Sequence, residues 1–344
     1  MGEKLQCDPA DRVFNLFVVL VLYKMKPNES IAFNTLQGAI DGGHLSQATV
    51  GILLYDNTPG GQDIGSLPAE VQYRADPFNS GLARAYNYAL DIAEEKGFDW
   101  LLTLDQDTSL PVDFLSKLRN AAEYVAPMPS VAAIVPQISS DGRLVSPFTL
   151  TKHWTLTRLF PDGYFGIPLD NVYAANSATA TKVSALRAVG GYDPSFYFYF
   201  ADFAMNRRLH SNNFRTLVAG DIHVEHELSG FDLKNRTTLE QYDERCRAEE
   251  AVFDEYMGRI DGIGLMIRII YRLAFRIWKM GGSLAHFKIG LRFLCRRLFC
   301  SRKHRMESWR KFLEHRNLQS ESGSNEGNGS RPEGSRGGNW IRFS

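Results

Sequence analysis

Between Phe14 and Phe200, short apolar runs alternate with stretches patterned as helices, which restricts the chain to a mostly parallel sheet with helices on its faces. A strand buried on both faces reads as a continuous apolar run. Phe14 to Tyr23, Val50 to Tyr55, Val71 to Arg74, Trp100 to Leu104 and Val131 to Pro136 have that form. Helices are expected between them: from about Ser30 to Ile40, from Leu82 to Glu95 where Gly97 ends the pattern, and from Pro111 through Phe114, Leu115 and Leu118. A short helix over Lys182 to Val189 closes on Gly190-Gly191, and another runs from Asp202 through Leu209 after five consecutive aromatics, Phe196 to Phe200. Beyond Asp221 the alternation fails, and Leu239 to Tyr256 reads as a charged helix. The expected organisation is therefore an α/β domain over 13–228, a basic helical region over 229–318, and a tail over 319–344 whose Gly, Ser, Asn and Glu content predicts disorder.

A chain of 344 residues with 44% hydrophobic content can bury a full core. Its formal charge is zero, yet Arg259 to Arg316 is heavily basic. Cys7, Cys246, Cys295 and Cys300 lack zinc-finger or CxxC spacing, and no cleavable apolar leader is seen, so a reducing cytoplasm is expected. The run Leu16 to Tyr23 is too short for a bilayer, which needs about 20 residues.

Asp105-Gln106-Asp107 follows the run Trp100 to Leu104, so two carboxylates reach the C-terminal edge of a buried strand, where ligands collect in such sheets. Two acids so close repel unless a cation or a hydrogen-bonding ligand compensates them. Oxygen ligands favour Mg2+ or Mn2+, which keep waters and share a substrate's phosphates. A solvated turn is the alternative. Three further pieces lie in order along the same unit: Asp56 opening the turn Asn57-Thr58-Pro59-Gly60-Gly61, Asn79-Ser80-Gly81 before a helix, and Asp202 after the aromatic run.

Taken in this order, the four pieces resemble a family-two inverting glycosyltransferase of the GT-A fold, and Leu104-Asp105-Gln106-Asp107-Thr108 is most like the rhamnosyltransferase branch. The resemblance implies that Asp56 contacts the base or ribose of a nucleotide sugar. It also implies that Asn79, Gly81 and Arg84, in the stretch Asn79 to Asn87, bind the donor, with Gly81 allowing close approach and a helix N-terminus supplying positive potential. Asp105 and Gln106 would lie near the ribose and diphosphate, Asp107 would bind the metal, and Asp202 would be the base. Many relatives carry an acidic pair where this chain has Ala201-Asp202, which leaves Asp202 alone for that role. His226 is the candidate third metal contact and His223 its rival. At most one of Arg207 and Arg208 is expected to face the diphosphate, Asn176 and Ser177 could hold the acceptor, and Tyr197 and Tyr199 either line an acceptor cleft or belong to the core. The implied reaction moves a sugar, foremost L-rhamnose from dTDP-rhamnose, onto a glycan or polyprenyl-diphosphate-linked acceptor of a bacterial surface polysaccharide, with a UDP- or GDP-sugar donor as the alternative. A metal-dependent nucleotidyltransferase is the rival class, but no Gly-rich triphosphate loop with a lysine is present.

Arg268, Arg272, Arg276 and Lys279 form a stripe among Leu265, Ile269, Leu273 and Ile277. After Gly281-Gly282, Lys288, Arg292 and Arg296 repeat it among Phe287, Ile289, Leu291, Leu294 and Leu298. Such stripes either lie on the inner face of the cytoplasmic membrane, where each basic residue gains about 1 kcal/mol, or form a helical hairpin packed on the core with its basic face in water. Aliphatic interleaving and the lack of a nucleic-acid fold argue against nucleic acid. Oligomeric state is left open by the sequence.

Overall fold

The first apolar run becomes strand β1 (Phe14–Leu22), whose alternate residues serve opposite layers: Leu16, Val18, Leu20 and Leu22 enter one core cluster, Phe17, Val19 and Val21 another. Burial on both faces is what a central parallel strand requires. The computed structural model describes residues 13–42, 47–151, 157–226, 237–258, 261–279, 281–322 and 340–343. After α1 (Ile31–Gly42) come β2 (Ala48–Asp56), β3 (Val71–Ala75), α2 (Leu82–Glu95), β4 (Trp100–Asp105), β5 (Thr108–Ser109), α3 (Phe114–Val125) and β6 (Val131–Ser140). β7 (Arg143–Ser146), β8 (Phe148–Leu150), β9 (Thr157–Leu159), β10 (Phe165–Gly166), β11 (Val172–Tyr173) and β12 (Thr179–Lys182) precede α4 (Val183–Ala188), α5 (Ala201–Ser211) and β13 (Arg215–His226). The helices α6 (Leu239–Tyr256), α7 (Asp261–Tyr271), α8 (Ile277–Lys279), α9 (Leu284–Phe299) and α10 (Arg302–Ser322) follow, and β14 (Ile341–Phe343) ends the described chain.

The main sheet runs β10-β13-β6-β12-β4-β1-β2, with β3 and β14 sharing the outer edge of β2. Strands β1 to β4 pair parallel, as expected, but β12 is antiparallel to both β4 and β6. Its sequence, Thr-Ala-Thr-Lys, is too short and polar to announce a central strand. Leu36, Ala39, Leu115 and Leu118 of α1 and α3 cover one face, and Ala89, Leu90, Leu186 and Met205 of α2, α4 and α5 cover the other. The result is a three-layer α/β/α core whose parallel strands end on one edge. A small sheet, β11-β8-β9, stands outside it.

The C-terminal helices form a further layer that shares a core with the aromatic run: Phe196, Tyr197 and Ala204 cluster with Val252, Phe253, Leu265, Ile269 and Trp309. Here the structure corrects the sequence reading in part, because Arg272 and Arg296 of the basic stripes face inward. Arg272 pairs with Glu249 at 2.6 Å, Arg296 with Glu250 at 2.9 Å, and Arg297 and Arg305 with Asp254 at 2.5 and 2.7 Å. These acids are buried on α6, so their charge draws the arginines off the surface. No helix among the described residues is long and apolar enough to cross a membrane.

The expected disordered tail differs too. Residues 323–339 lie outside the described set, as does Cys7, but Ile341–Phe343 pairs antiparallel with β2, and Trp340 packs against Phe17 and Phe98 with ring centroids 5.9 and 5.3 Å away. A single half-buried aromatic supplies what the surrounding polar composition lacks.

Candidate active site

The C-terminal ends of β2 and β4 and the start of α5 carry the acids singled out in the sequence. Asp105 ends β4, and its carboxylate is 29% exposed; that of Asp107 is 34% exposed. Between them sits the buried imidazole of His226, with Nδ1 3.2 Å from Asp107 Oδ1 and Nε2 3.6 Å from Asp105 Oδ2. The pairing of β5 with the end of β13 brings this ring there, since Thr108 stands opposite His226 in register and its hydroxyl lies 3.2 Å from Nδ1. His223 lies on the exposed side of β13 near Asp162, away from the carboxylates. Of the two histidines, the structure thus brings only His226 to the acids.

Burial raises the pKa of Asp105, and the neighbouring Asp107 charge adds to this, while His226 and the Tyr86 hydroxyl, 3.3 Å from Oδ1, oppose it. Asp202 is half-buried in the first turn of α5; desolvation, joined by the Asp105 charge and opposed by the Phe203 amide, which donates at 2.7 Å, pushes it up to about 6. Tyr86 and Tyr192, with rings 4.9 Å apart, both feel the charges of Asp105 and Asp202. The two acids therefore face the same tyrosine pair. Backbone strain gathers around them: Asn79, Ala178 and Phe200 have φ of 50°, 59° and 64°, left-handed values that cost side-chain-bearing residues about 1–3 kcal/mol.

Other expected residues serve the walls. Asp56 is fully buried; its oxygens accept from the Thr58 amide at 2.9 Å and the Tyr73 hydroxyl at 2.7 Å. The Gln106 amide accepts from Tyr23 N at 2.7 Å and donates to Tyr23 O at 3.3 Å, tying the end of β1 to the acidic turn. Gly81, at φ 92°, lets the Tyr197 carbonyl approach so closely that a Cβ would lie 2.5 Å from it. That carbonyl accepts from Ala83 N, so one donor of the α2 N-terminus is used within the protein. Asn79 is partly buried and its carbonyl accepts from Arg316; Arg84 is exposed and acts electrostatically on the Tyr55 hydroxyl. Arg207 and Arg208 donate to Tyr256 O and Gly191 O, so both serve the packing of α5. Ser177 is buried, accepts from Asp105 N at 3.1 Å and bonds to the Thr108 hydroxyl; it anchors the acidic turn and is not on an acceptor surface.

Two contributors escaped the sequence reading. Asp76 accepts from the Tyr55 hydroxyl and from the amides of Phe78 and Ser80, shaping the loop before α2. Asn87 clamps the Tyr192 backbone with two 2.8 Å hydrogen bonds. The sequence signal for Asp76 was an Asp-Pro turn, and for Asn87 there was none.

Whether a divalent cation fits can be judged from the donors. Among the described residues no group of three or more His, Cys, Asp or Glu converges on one point, because the imidazole turns a different nitrogen to each carboxylate. Asp107 Oδ1 and His226 Nδ1, however, are separated by the edge length of a hexacoordinate cation, about 3 Å for bonds of 2.1 Å. Two protein donors completed by phosphate oxygens and water suit Mg2+ or Mn2+, so the residues fit a cation shared with a substrate.

Residues 62–190 match the model of the family described as glycosyl transferase family 2. That stretch, less than half of the chain, contains Gly81, Asp105 and Asp107. Among solved structures, S. aureus TarS 1–349 superposes with a TM-score of 0.50 at 13% identity, covering 92% of this chain and 93% of that one. TarS 1–349 in complex with UDP gives 0.49 at 12% identity over 96% and 97%, and GalNAc-T7 with UDP, GalNAc and Mn2+ gives 0.45 at 16% over 86% and 56%. At such identities the TarS 1–349 likeness is one of fold. No curated protein matches the sequence closely enough to count.

Proposed function

We propose that the chain is an inverting, metal-dependent glycosyltransferase that moves L-rhamnose from dTDP-rhamnose onto a glycan or polyprenyl-diphosphate-linked acceptor at a cytoplasmic membrane surface. The observation that carries the reading is the gathering of Asp105, Asp107 and His226 at one strand edge, with Asp202 electrostatically coupled to Asp105. Asp202 has the properties of a base: half-buried, with a pKa of about 6, it is ionised at neutral pH yet holds a proton readily. It removes the proton of the acceptor hydroxyl as that oxygen bonds to the anomeric carbon, and the bond to the nucleoside diphosphate breaks on the opposite face. Asp107 and His226 would hold the cation, which supplies positive charge to the departing diphosphate when bound. Asp105 orients this group through Tyr86 and His226. Asp56 and Asp76 stiffen the loops at the expected base-binding end. Gln106 fixes the acidic turn, and Arg84, in the first turn of α2, offers an exposed cation.

The preference for rhamnose rests on the Leu104-Asp105-Gln106-Asp107-Thr108 form alone. Calorimetric titration of the protein with dTDP-rhamnose, UDP- and GDP-sugars, with and without Mn2+, tests it. Metal-dependent binding strongest for dTDP-rhamnose is expected; a UDP- or GDP-sugar preferred instead would replace the donor and keep the enzyme class.

A further inference from the structure

The helices that turn their arginines inward leave an apolar face outside. Along α7, the π-helical stretch Arg272–Arg276 and α8, the side chains of Ile263, Ile267, Ile270, Tyr271, Phe275 and Trp278 recur at helical spacing and are 49–66% exposed. Their opposite neighbours Leu265, Ile269, Leu273 and Ile277 are buried against the rest of the chain. Tyr271 and Phe275 lie ring to ring at 5.8 Å, and Trp278 stacks on Phe287 at 6.2 Å, which carries the surface across to α9 and its exposed Leu284 and Leu291. So much clustered apolar side chain on a surface marks an interaction site.

Charge identifies the occupant. No Asp or Glu occurs between Asp261 and Glu307, and Lys279, Lys288, Arg302 and Lys303 are exposed there. A second copy docked by two-fold symmetry would set this cationic surround against itself. An anionic lipid surface complements both features, receiving the apolar side chains below its headgroups and the lysines among them. We infer that this face beds into the interface of an anionic membrane, with Tyr271 and Trp278 at headgroup depth. The device differs from the one expected from sequence, because the anchor is the apolar side and Arg272 and Arg296 are internal ties. It deepens the reading above by placing a lipid-linked acceptor beside the enzyme, but it rests on surface and charge and not on the transfer chemistry.

Flotation of the full chain with vesicles of phosphatidylcholine, alone or mixed with phosphatidylglycerol, tests it. Wild-type protein should float with the anionic vesicles and not with the neutral ones. The triple variant Tyr271→Ser, Phe275→Ser, Trp278→Ser should lose on the order of tenfold or more in partitioning, with its unfolding temperature and its turnover on a soluble acceptor unchanged. Wild-type protein that stays in the soluble fraction, or a variant that floats equally well, overturns the inference. So does a wild-type dimer in gel filtration that the same substitutions dissociate, since the face then belongs to a second copy. Flotation needs neither donor nor metal, so a chain that floats but transfers no sugar leaves this inference standing and sinks the functional reading.

Discussion

Asp202 is the residue whose chemistry is most sharply constrained. Its raised pKa means that activity should climb as pH rises through about 6, where the carboxylate becomes ionised. Asp202→Asn should remove that acidic limb and lower turnover about 100- to 10,000-fold, with donor affinity nearly kept, as pH-dependent kinetics and calorimetry would reveal. Stability moves the other way. The folded carboxyl holds its proton more tightly than the unfolded one, so this group's contribution to stability is greatest below about pH 4 and is lost as pH rises through 6. At neutral pH the ionised group costs up to about 3 kcal/mol. Asp202→Asn should therefore unfold at a higher temperature than wild type at pH 7.5, and an unchanged or lower value would contradict the burial cost. His226→Gln should leave the fold intact and raise the Mn2+ concentration for half-activation by about 10- to 100-fold. Asp105, Asp107 and Asp202 were legible in the sequence because strand ends and helix starts advertise such residues. The choice between His226 and His223 was not, since it depends on Thr108 pairing with His226 across more than a hundred residues. The ties that Gln106 and Ser177 make were hidden for the same reason: their partners are backbone groups distant in sequence.

Two elements carry burdens that single substitutions can weigh. Burial alone would push Glu249 of α6 up, but Arg272 outweighs it and takes the carboxyl down to about 2, so this pair adds stability above pH 4.5 that disappears as pH falls toward 2. Arg272→Ala leaves the acid buried without a partner and should cost about 3–5 kcal/mol in denaturant unfolding, whereas the double variant Arg272→Met, Glu249→Leu should recover most of that loss. Failure of the double variant to recover would place the cost elsewhere. At the start of α2, Gly81→Ala combines a φ of 92° with a Cβ driven onto the Tyr197 carbonyl, and should destabilise by about 2 kcal/mol or more, measurable by thermal unfolding. The parallel strands β1 to β4 were readable because burial on both faces leaves an unbroken apolar run. β12 was hidden by its polar residues, and the orientation of α7 and α9 by a limit of periodicity itself. A stripe shows that a helix has two faces, but which one turns inward was decided by Glu249, Glu250 and Asp254 on a neighbouring helix.

On the scale of the whole molecule, the sheet edge gathers the acids, the aromatic run Phe196 to Phe200 joins that edge to the C-terminal helices, and the outermost helices present an apolar face. Arg316 of α10 reaches back to the Asn79 carbonyl and lies over the Tyr197 ring at 3.6 Å, so the distal layer touches the loop expected to hold the donor. Membrane attachment and transfer can thus be parts of one body. In the proposed reaction Asp202 activates an acceptor while Asp107 and His226 serve a nucleoside diphosphate leaving from the opposite side. Anomeric analysis by NMR of the glycoside formed from dTDP-rhamnose with Mn2+ addresses it most directly. Product of inverted configuration is expected from wild type and from neither Asp107→Ala nor Asp202→Asn. Product that retains the donor's configuration, or undiminished turnover by either variant, would contradict it.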